Sequence, residues 1–363
     1  MKKILIVTSE FGSGHKTPAE ALRQEFIRQG HHAEFFDFED IIGAFTERVT
    51  KELFDFATTH VPLLHRGLAA ATNSNSILDV IIRLTPAKVS ENLEARIRSM
   101  QPDAVVTTFP AANRLIAELK KKYPFELVSV VTDLKTIHHY WIAEGTDAYI
   151  AALPDTATSL AALGVPKEKI FVLGYPLRAP FFAQKDTHAL RAQFAIANND
   201  FVALYLVHTA PDSFAEQLAR ALDTTPDITP VIICGKNEAL KQSLKRELRR
   251  THIIGFANNM DEYLRVADVA IGKAGTGFLM EAAAMGCPVI ITKYLKPQEE
   301  GNAEFFESHG IGFIERTAAK AMARVRTLKN ESKDVRAARS QKTKNIFPKN
   351  TTAAIVEFIT QDK

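Results

Sequence analysis

The chain has 363 residues, more than one hydrophobic core usually organises, so two domains are expected. Apolar residues make up 46% of the sequence and charged residues 24%, which excludes a disordered chain. The 45 basic and 42 acidic residues leave a formal net charge of +3, too balanced to indicate a nucleic-acid binder. Cys234 and Cys287 indicate buried thiols in a reducing compartment rather than a disulfide framework.

The first residues predict a β-strand rather than an export signal. The basic start at Lys2 and Lys3 leads into an apolar run that ends before Ser9 and Glu10, which is too short for a signal peptide. No apolar run approaches the roughly 18 to 20 residues that a bilayer-spanning helix needs. We therefore expect a cytoplasmic protein that associates peripherally with the inner face of the membrane.

The first half of the chain alternates short apolar runs with helical patterns. The first helix has clear start signals, because Thr17, Pro18 and Glu20 fit the N-cap, N1 and N3 positions of a capping box, and it is expected to end at Gly30. Such alternation is typical of a doubly wound parallel sheet. The predicted strands are Lys3–Thr8, Ala33–Phe38, Ala104–Phe109, Leu127–Thr132, Ala148–Ala151 and Ile170–Leu173.

A second series of the same kind follows Gly174–Phe182, which contains two prolines and is interpreted as the hinge between domains. The pattern predicts an α/β fold of two doubly wound, Rossmann-like domains that face a cleft. The expected divisions are 1–178, 179–345 and 346–363, the last being a C-terminal helix that packs back on the first domain. The predicted strands are Phe201–Val207, Thr229–Cys234, His252–Phe256, Val269–Ile271, Val289–Thr292 and Gly312–Ile314.

The segment Ile42–Pro86 departs from this alternation. Its helical pattern combines apolar side chains such as Leu63 and Leu64 with basic ones such as Arg66 and Arg83. A mixed apolar and basic surface suits an anionic bilayer interface. The alternative, which the sequence favours, is that the segment packs on the sheet.

The turn after the first strand contains glycines and a histidine. Gly12 and Gly14 permit close approach of the backbone to a ligand, and His15 follows at the carboxyl end of the strand, where α/β proteins form their sites. An imidazole with an ordinary pKa near 6.5 suits a general base at neutral pH. By itself the pattern has low specificity, since a loop histidine is more often a polar surface group.

The segment Ile271–Asn302 combines a glycine-containing turn with carboxylates on the loops that follow. A strand leads into the turn Gly272–Gly277 and then into a helix that carries Glu281 near its start. A turn aimed at a helix N-terminus suits phosphate, and carboxylates such as Glu299 and Glu300 suit sugar hydroxyls. The segment therefore predicts a pocket for a nucleotide-sugar.

Three blocks of the sequence, GSGHKTPAEAL, VTDLKTIHHYW and IGKAGTGFLMEAAAMGCPVIITKYLKPQEEGN, resemble family 28 glycosyltransferases. The resemblance is to the monogalactosyldiacylglycerol synthase and processive diacylglycerol β-glucosyltransferase type, and it implies the GT-B fold. It implies that His15 is the catalytic base and that Glu10 orients it. It also implies that Asp133, His138 and Trp141 line the acceptor side, with Trp141 near the glycerol or the bilayer interface. Without the resemblance, Asp133 capping a turn is the simpler explanation.

On the donor side the resemblance implies that Phe256 meets the nucleotide base, that Glu281 binds the ribose and that Asn302 helps to hold the hexose. Backbone amides, a helix dipole and a lysine would stabilise the leaving diphosphate. No metal is expected, because the chain has neither a DxD nor an HExxH motif. The expected donor-binding residues are Gly14, Phe256, Lys273, Gly275, Thr276, Glu281, Gln298, Glu299, Glu300 and Asn302.

One turn departs from the family pattern. The family is glycine-rich where this chain has His208–Ser213, which contains no glycine, and Asp212 there resembles a helix N-cap. Phe278 and Leu279 also stand where smaller or hydroxyl residues are common. Whether this edge still supports donor binding is left open.

The expected function is inverting transfer of galactose or glucose from a UDP-sugar, a substrate rather than a cofactor, to 1,2-diacylglycerol in an anionic membrane surface. One alternative is transfer of N-acetylglucosamine to a lipid-linked precursor, whose family has paired glutamines in place of Glu299 and Glu300. Another is a non-catalytic homologue that binds a UDP-sugar or lipid, which the missing glycines favour. A UDP-sugar 2-epimerase would need acid and base carboxylates in the cleft.

Overall fold

The computed structural model describes residues 1–9, 13–37, 87–207, 213–346 and 350–361. The described residues form two compact units, with unit 1 drawn from Met1–Ala179, Leu295–Gly301 and Pro348–Lys363, and unit 2 from Pro180–Tyr294 and Asn302–Phe347. Across these ranges, no helix has the length and apolar character that crossing a bilayer requires. The mixed apolar and basic segment Ile42–Pro86 lies outside the described residues.

Unit 1 contains a six-stranded parallel sheet with the order β2-β1-β3-β4-β5-β6. Its strands are β1 Lys3–Thr8, β2 His32–Asp37, β3 Ala104–Thr107, β4 Glu126–Val130, β5 Ala148–Ala151 and β6 Ile170–Val172. Its helices are α1 Ser13–Arg28, α2 Ala87–Met100, α3 Asn113–Lys120, α4 Pro154–Ala162 and the C-terminal helix α13, Thr351–Thr360.

Successive side chains of β1 point to opposite faces of the sheet, and helices cover both faces. Ile4 and Ile6 pack in a buried cluster with residues of α1 and α13. Leu5 and Val7 pack in a second cluster with residues of α2 and α3. Because a strand covered on both sides needs no polar face, the continuous apolar run of β1 is the expected pattern for this fold.

Unit 2 contains a second six-stranded parallel sheet with the order β12-β11-β10-β7-β8-β9. Its strands are β7 Phe201–Leu206, β8 Ile228–Ile233, β9 His252–Ile254, β10 Val269–Lys273, β11 Val289–Lys293 and β12 Gly312–Ile314. The helices between and after them are α5 Thr187–Gln193, α6 Ser213–Asp223, α7 Glu238–Glu247, α8 Met260–Val266, α9 Thr276–Met285, α10 Glu300–Ser308, α11 Ala318–Asn330 and α12 Lys333–Lys344. The two doubly wound sheets confirm the predicted fold class, and each predicted strand lies within two residues of an observed one.

The predicted start of the first helix is wrong. α1 begins at Ser13, so Thr17 and Pro18 lie inside the helix instead of at its cap. Proline has no N–H to donate to the carbonyl of the residue four positions earlier, which is Gly14. The hydroxyl of Tyr175 lies 3.3 Å from that carbonyl and donates to it instead. A long-range hydrogen bond thus compensates for the proline, and no local pattern could have indicated it.

In each sheet the strand order reverses at one place, and doubly wound proteins bind ligands at the carboxyl ends of the strands there. In unit 1 the reversal lies between β1 and β3, which are neighbours in register from Ile4 with Ala104 to Val7 with Thr107. In unit 2 it lies between β7 and β10. His15 follows β1 and Lys273 is the last residue of β10, so topology alone places both at ligand-binding edges.

A glycine in β10 is required by close packing. A Cβ atom added to Gly272 would lie 2.7 Å from Cε1 of Phe278, a buried ring in α9. We expect Gly272→Ala to destabilise the protein by about 1–3 kcal/mol, because the ring has to move within a packed core. The urea midpoint of unfolding measures this, and Gly14→Ala, where the added Cβ meets no atom within 4 Å, is the matched control. Equal midpoints for the two variants would show that Phe278 moves at no cost.

Candidate functional site

His15 lies in the first turn of α1, near residues that follow β3 and β4. Its Nδ1 atom is 2.8 Å from the carbonyl oxygen of Thr108 and 3.1 Å from the hydroxyl of Thr132. The ring meets Phe109 edge-on at 5.5 Å between centroids, and the ring of Trp141 is 6.4 Å away. The expectation of a loop histidine is therefore wrong, because the helix and these contacts hold the half-buried ring in place.

The contact with Thr108 determines which nitrogen of His15 carries the proton. A carbonyl oxygen only accepts hydrogen bonds, so Nδ1 must donate, and Nε2 is left as the basic nitrogen. Burial lowers the pKa of His15 to about 4, although the bond to Thr108 opposes this effect. The positive end of the α1 dipole acts in the same direction as burial. The imidazole is therefore neutral, with a proton-accepting Nε2, throughout the neutral pH range.

The groups that orient His15 within the described structure are threonines. The Thr108 hydroxyl is 3.1 Å from the Thr8 hydroxyl and 3.0 Å from the carbonyl of His15, and both threonines are buried. Sequence reasoning did not select Thr108. The available signal was a pair of threonines, Thr107 and Thr108, at the end of a buried strand, where apolar residues are usual. Glu10, the expected orienting residue, lies outside the described residues.

The lowered pKa of His15 makes a testable prediction about pH. If His15 is the base, the acid limb of kcat/KM that belongs to it should lie near pH 4 and not near the ordinary value of 6.5. A second titration near pH 6 should belong to Asp133, whose pKa burial raises to about 6. We expect Asp133→Asn to remove the limb near pH 6. Initial rates from about pH 3.5 to 8.5 test this, and a limb near 6.5 that survives in Asp133→Asn contradicts the assignment.

Asp133 and Trp141 form one buried pair behind His15. The indole Nε1–H of Trp141 donates to Oδ2 of Asp133 at 2.7 Å, and both side chains are buried. Burial, and secondarily the charge of Glu299, raises the pKa of Asp133, while hydrogen bonds from Trp141 and Gln298 oppose the rise. Trp141 is fully buried in the unit 1 core, so its expected place at the bilayer interface is wrong, whereas the alternative, a place near the glycerol, stays a prediction.

His138 has a local role in the described structure. Its Nδ1 atom accepts a hydrogen bond from the backbone N–H of Tyr140 at 3.1 Å and so caps the short 3₁₀ turn His139–Trp141. The His138 and Tyr140 rings lie 4.3 Å apart. The structure thus joins His15, Asp133 and Trp141 directly, and relates His138 to them through the turn that carries Trp141.

Three of the expected donor residues lie on a loop that belongs to unit 1, Leu295–Gly301. Gln298 is exposed and acts to lower the pKa of Asp133. Glu299 is buried, and its Oε2 accepts from the backbone N–H of Leu295 at 2.8 Å. Glu300 forms an ion pair with Lys296. The carboxylate pair therefore makes bonds within its own loop and is not simply a solvated charge.

The N-terminus of α9 forms a separate candidate site in unit 2. Gly275 occupies the N-cap position and has no side chain with which to satisfy the amides of the first turn, which suits a bound anion. Lys273 ends β10 just before this turn, at a shift in the register with β11. Such irregularities re-aim side chains at strand ends. Gly275, Thr276 and Lys273 thus lie where a diphosphate is expected.

Asn302 completes this part of the site. Its amide nitrogen donates to the carbonyl of Ala274 and to the hydroxyl of Thr276, both at 3.2 Å. Its Oδ1 atom is buried and has no hydrogen-bond partner among the described residues. A buried acceptor without a partner costs about 1–3 kcal/mol unless a ligand or water satisfies it. Asn302 therefore presents an acceptor for a hydroxyl beside the α9 N-terminus.

Two further donor residues lie on neighbouring elements of unit 2. Glu281 is half-buried in the second turn of α9, one turn further along than expected. Phe256 follows β9 and is 61% exposed, with the ammonium of Lys236 6.0 Å from its ring centroid. An exposed aromatic ring is costly in water, so this position suits contact with a flat apolar group such as a nucleotide base.

The turn that lacks glycine, His208–Ser213, is described only at Ser213, where α6 begins. The expectation about this turn and the donor therefore concerns residues outside the described ranges. Gly12 and Glu10 also lie outside them. Among the described residues, no group of three or more His, Cys, Asp or Glu side chains is placed to hold a metal ion.

Comparison with known proteins identifies the family. Residues 15–177 match the model for monogalactosyldiacylglycerol (MGDG) synthase, and residues 203–355 match the model for the glycosyltransferase family 28 C-terminal domain. A processive diacylglycerol β-glucosyltransferase of Bacillus pumilus is 28% identical, covering 99% of this chain and 95% of the relative. The enzyme of the same name from Bacillus cereus is 30% identical, covering 90% of this chain and 85% of the relative.

Similarity to a solved structure also supports the fold assigned to this chain. The crystal structure of Acinetobacter baumannii MurG is similar with a TM-score of 0.66 and 16% identity, and the match covers 99% of both chains. At that identity the likeness concerns the fold, the GT-B architecture, and not the substrate. Taken together with the sequence matches over both halves, these findings show that the chain belongs to glycosyltransferase family 28, in the group of the diacylglycerol glycosyltransferases.

Proposed function

We propose that the chain transfers galactose or glucose from a UDP-sugar to the free hydroxyl of 1,2-diacylglycerol, with inversion at the anomeric carbon. The observation that carries the proposal is the state of His15, whose Nδ1 donates to Thr108 and whose lowered pKa keeps Nε2 unprotonated at neutral pH. A neutral imidazole held in one tautomer is what a general base for an alcohol requires.

The proposed reaction is a single displacement. Nε2 of His15 takes the proton of the lipid hydroxyl as its oxygen attacks the anomeric carbon of the hexose. The bond from that carbon to the UDP oxygen breaks on the opposite face, and UDP leaves with the electron pair. An α-linked donor therefore gives a β-glycoside. Lys273 and the amides at the α9 N-terminus would stabilise the negative charge that develops on the diphosphate.

The donor would lie along the carboxyl edge of the unit 2 sheet. In the strand order, β9 and β10 are separated by β8 and β7, so their ends are about 14 Å apart at roughly 4.8 Å per strand. This span gives room for a nucleotide between Phe256, at the base end, and Lys273, at the diphosphate. Glu281 would accept from ribose hydroxyls, and Asn302 from a hexose hydroxyl.

We further propose that the enzyme works at the inner membrane surface as a peripheral protein and needs neither a cofactor nor a metal. Diacylglycerol stays in the bilayer, so its hydroxyl must be reached from the surface. The mixture of apolar and basic side chains in Ile42–Pro86 supports this role, since such segments bind anionic bilayers. Flotation of the protein with vesicles, with and without anionic lipid, measures the association.

The decisive experiment incubates the protein with vesicles that contain diacylglycerol and anionic lipid, in separate reactions with UDP-glucose, UDP-galactose and UDP-N-acetylglucosamine. Mass analysis of the extracted lipids identifies the product. The relatives named above are glucosyltransferases, which favours glucose, whereas the matched family model is named for galactolipid synthesis. Hexosyl-diacylglycerol from either hexose donor supports the proposal, and UDP binding without any hexosyl lipid overturns it.

A further inference from the structure

Tyr175 links the segment that follows β6 to the first turn of α1. Its side chain is fully buried in unit 1. Gly174 precedes it with a φ of 96°, in the left-handed region that favours glycine, and so turns the chain after β6. The Tyr175 hydroxyl lies 3.3 Å from the carbonyl oxygen of Gly14 and donates to it. One buried tyrosine therefore bonds to the residue that immediately precedes His15.

The peptide groups on both sides of His15 are held by hydroxyl groups. Within an α-helix the Gly14 carbonyl would accept from residue 18, but Pro18 has no N–H, and the Tyr175 hydroxyl takes that place. The next carbonyl, that of His15 itself, accepts from the hydroxyl of Thr108 at 3.0 Å. Because peptide groups are planar and these two flank the Cα atom of His15, the two hydroxyls fix the direction in which the imidazole leaves the helix.

The start of α13 holds the backbone around Tyr175. The hydroxyl of Thr351 donates to the Tyr175 carbonyl at 2.7 Å. The hydroxyl of Thr352 donates to the carbonyl of Leu177 at 2.6 Å and accepts from the N–H of the same residue at 2.9 Å. Both threonines are buried, and Ile355 in the next turn packs in one cluster with residues of α1. The first turn of α13 is thus bonded to the segment that carries Tyr175, and through Tyr175 to the first turn of α1.

We propose that Tyr175 is a positioning residue for the general base. Its hydroxyl holds the Gly14 carbonyl and so sets the backbone of His15, while α13 holds Tyr175 in place. A bond that only stabilised the fold would, when lost, lower the stability and leave kcat of the folded protein unchanged. The kinetic part of this inference rests on the proposed transferase function, whereas the structural part does not.

The structural part is tested by nuclear magnetic resonance of protein that carries ¹⁵N-labelled histidine. His15→Gln identifies the signals of His15, because it removes them from those of the 11 histidines. Tyr175→Phe, which keeps the ring and removes only the hydroxyl, should shift these signals. Tyr123→Phe is the matched control, since it removes a hydroxyl that donates to Glu94 on α2 at 3.0 Å, and it should leave them unchanged. Unshifted His15 signals in Tyr175→Phe overturn the proposal.

The kinetic part is tested by removing the bond to Gly14 and then restoring it. Tyr175→Phe should lower kcat about 10-fold and leave the KM for the UDP-hexose within about two-fold of wild type, because a slight displacement of the base slows the chemical step. Pro18→Ala supplies the missing N–H, so the double variant Tyr175→Phe with Pro18→Ala should recover most of kcat. A wild-type kcat in Tyr175→Phe, or a loss of kcat that Pro18→Ala does not recover, overturns the proposal.

The role of α13 is tested at Thr351. Thr351→Val removes the hydroxyl that holds the Tyr175 carbonyl, so it should lower kcat and shift the His15 signals as Tyr175→Phe does. The control is Thr360→Val at the other end of α13, whose hydroxyl bonds within the helix to the Val356 carbonyl, and it should match wild type. Equal kcat for the two threonine variants overturns the part of the proposal that concerns α13. If the wild-type protein transfers no hexose at all, the proposed function fails, but the His15 signals still decide the structural part.

Discussion

His15→Ala is expected to lower kcat for hexose transfer to diacylglycerol by about 10²- to 10⁴-fold, the usual contribution of a general base. The half-buried imidazole donates through Nδ1 to Thr108, so no other tautomer competes with a basic Nε2. The Kd for UDP should stay within about two-fold of wild type, because His15 is bonded to Thr108 and lies beside Trp141, neither of which is an expected donor-binding residue.

Two variants make the His15 result interpretable. His188→Ala removes an exposed histidine on α5 and should leave kcat unchanged. His15→Gln keeps an amide N–H that can donate to Thr108, so it should fold as wild type does and remain as inactive as the alanine variant. Circular dichroism checks the fold of each. Activity of His15→Gln near the wild-type level would show that proton transfer at this position is not part of catalysis.

Asn302→Ala is expected to lower kcat/KM for the UDP-hexose by about 5- to 30-fold, the effect of losing about 1–2 kcal/mol of hydrogen bonding to a substrate hydroxyl. The buried Oδ1 atom, which has no partner among the described residues, is the acceptor that the hexose would satisfy. The affinity for UDP alone should change little, because UDP lacks that hydroxyl. Steady-state rates with UDP-glucose and UDP-galactose, together with calorimetric titration of UDP, measure both effects.

The control for Asn302 is Asn330→Ala, an exposed asparagine at the end of α11, which should match wild type in both measurements. The loss of two amide N–H bonds, to Ala274 and Thr276, also loosens the start of α9 in the variant. Asn302→Asp separates the two effects, since it keeps acceptor oxygens and loses only the donors. If Asn302→Ala lowers the affinity for UDP as much as it lowers kcat/KM for the UDP-hexose, the residue supports the helix and does not bind the sugar.

Much of the fold followed from local rules. Short apolar runs alternating with amphipathic helices predict parallel strands, and parallel strands bring their carboxyl ends to one edge of each sheet. That is why His15 and Lys273, chosen from the sequence, fall beside the two places where the strand order reverses. The family resemblance then assigned roles that spacing alone left open.

Other features depended on partners far away in the chain. The start of α1 was mispredicted: Pro18 lies inside the helix, and the Gly14 carbonyl accepts from Tyr175, 161 positions away. The family resemblance placed Trp141 near the glycerol or the bilayer interface. It is buried because Asp133 satisfies the indole N–H, a pairing that the sequence does not reveal.

The sequence by itself determined the family, the two doubly wound sheets and the identity of the candidate base. The sheets depend on residue type and periodicity, which are local properties of the chain, whereas the family and the base depend on the resemblance of its motifs. Only the tertiary structure decided the tautomer of His15, through the Thr108 carbonyl, and paired the hydroxyl of Tyr175 with the carbonyl of Gly14 in α1. Both are hydrogen bonds between positions more than 90 residues apart, and folding selects such pairings by packing and burial, not by sequence proximity.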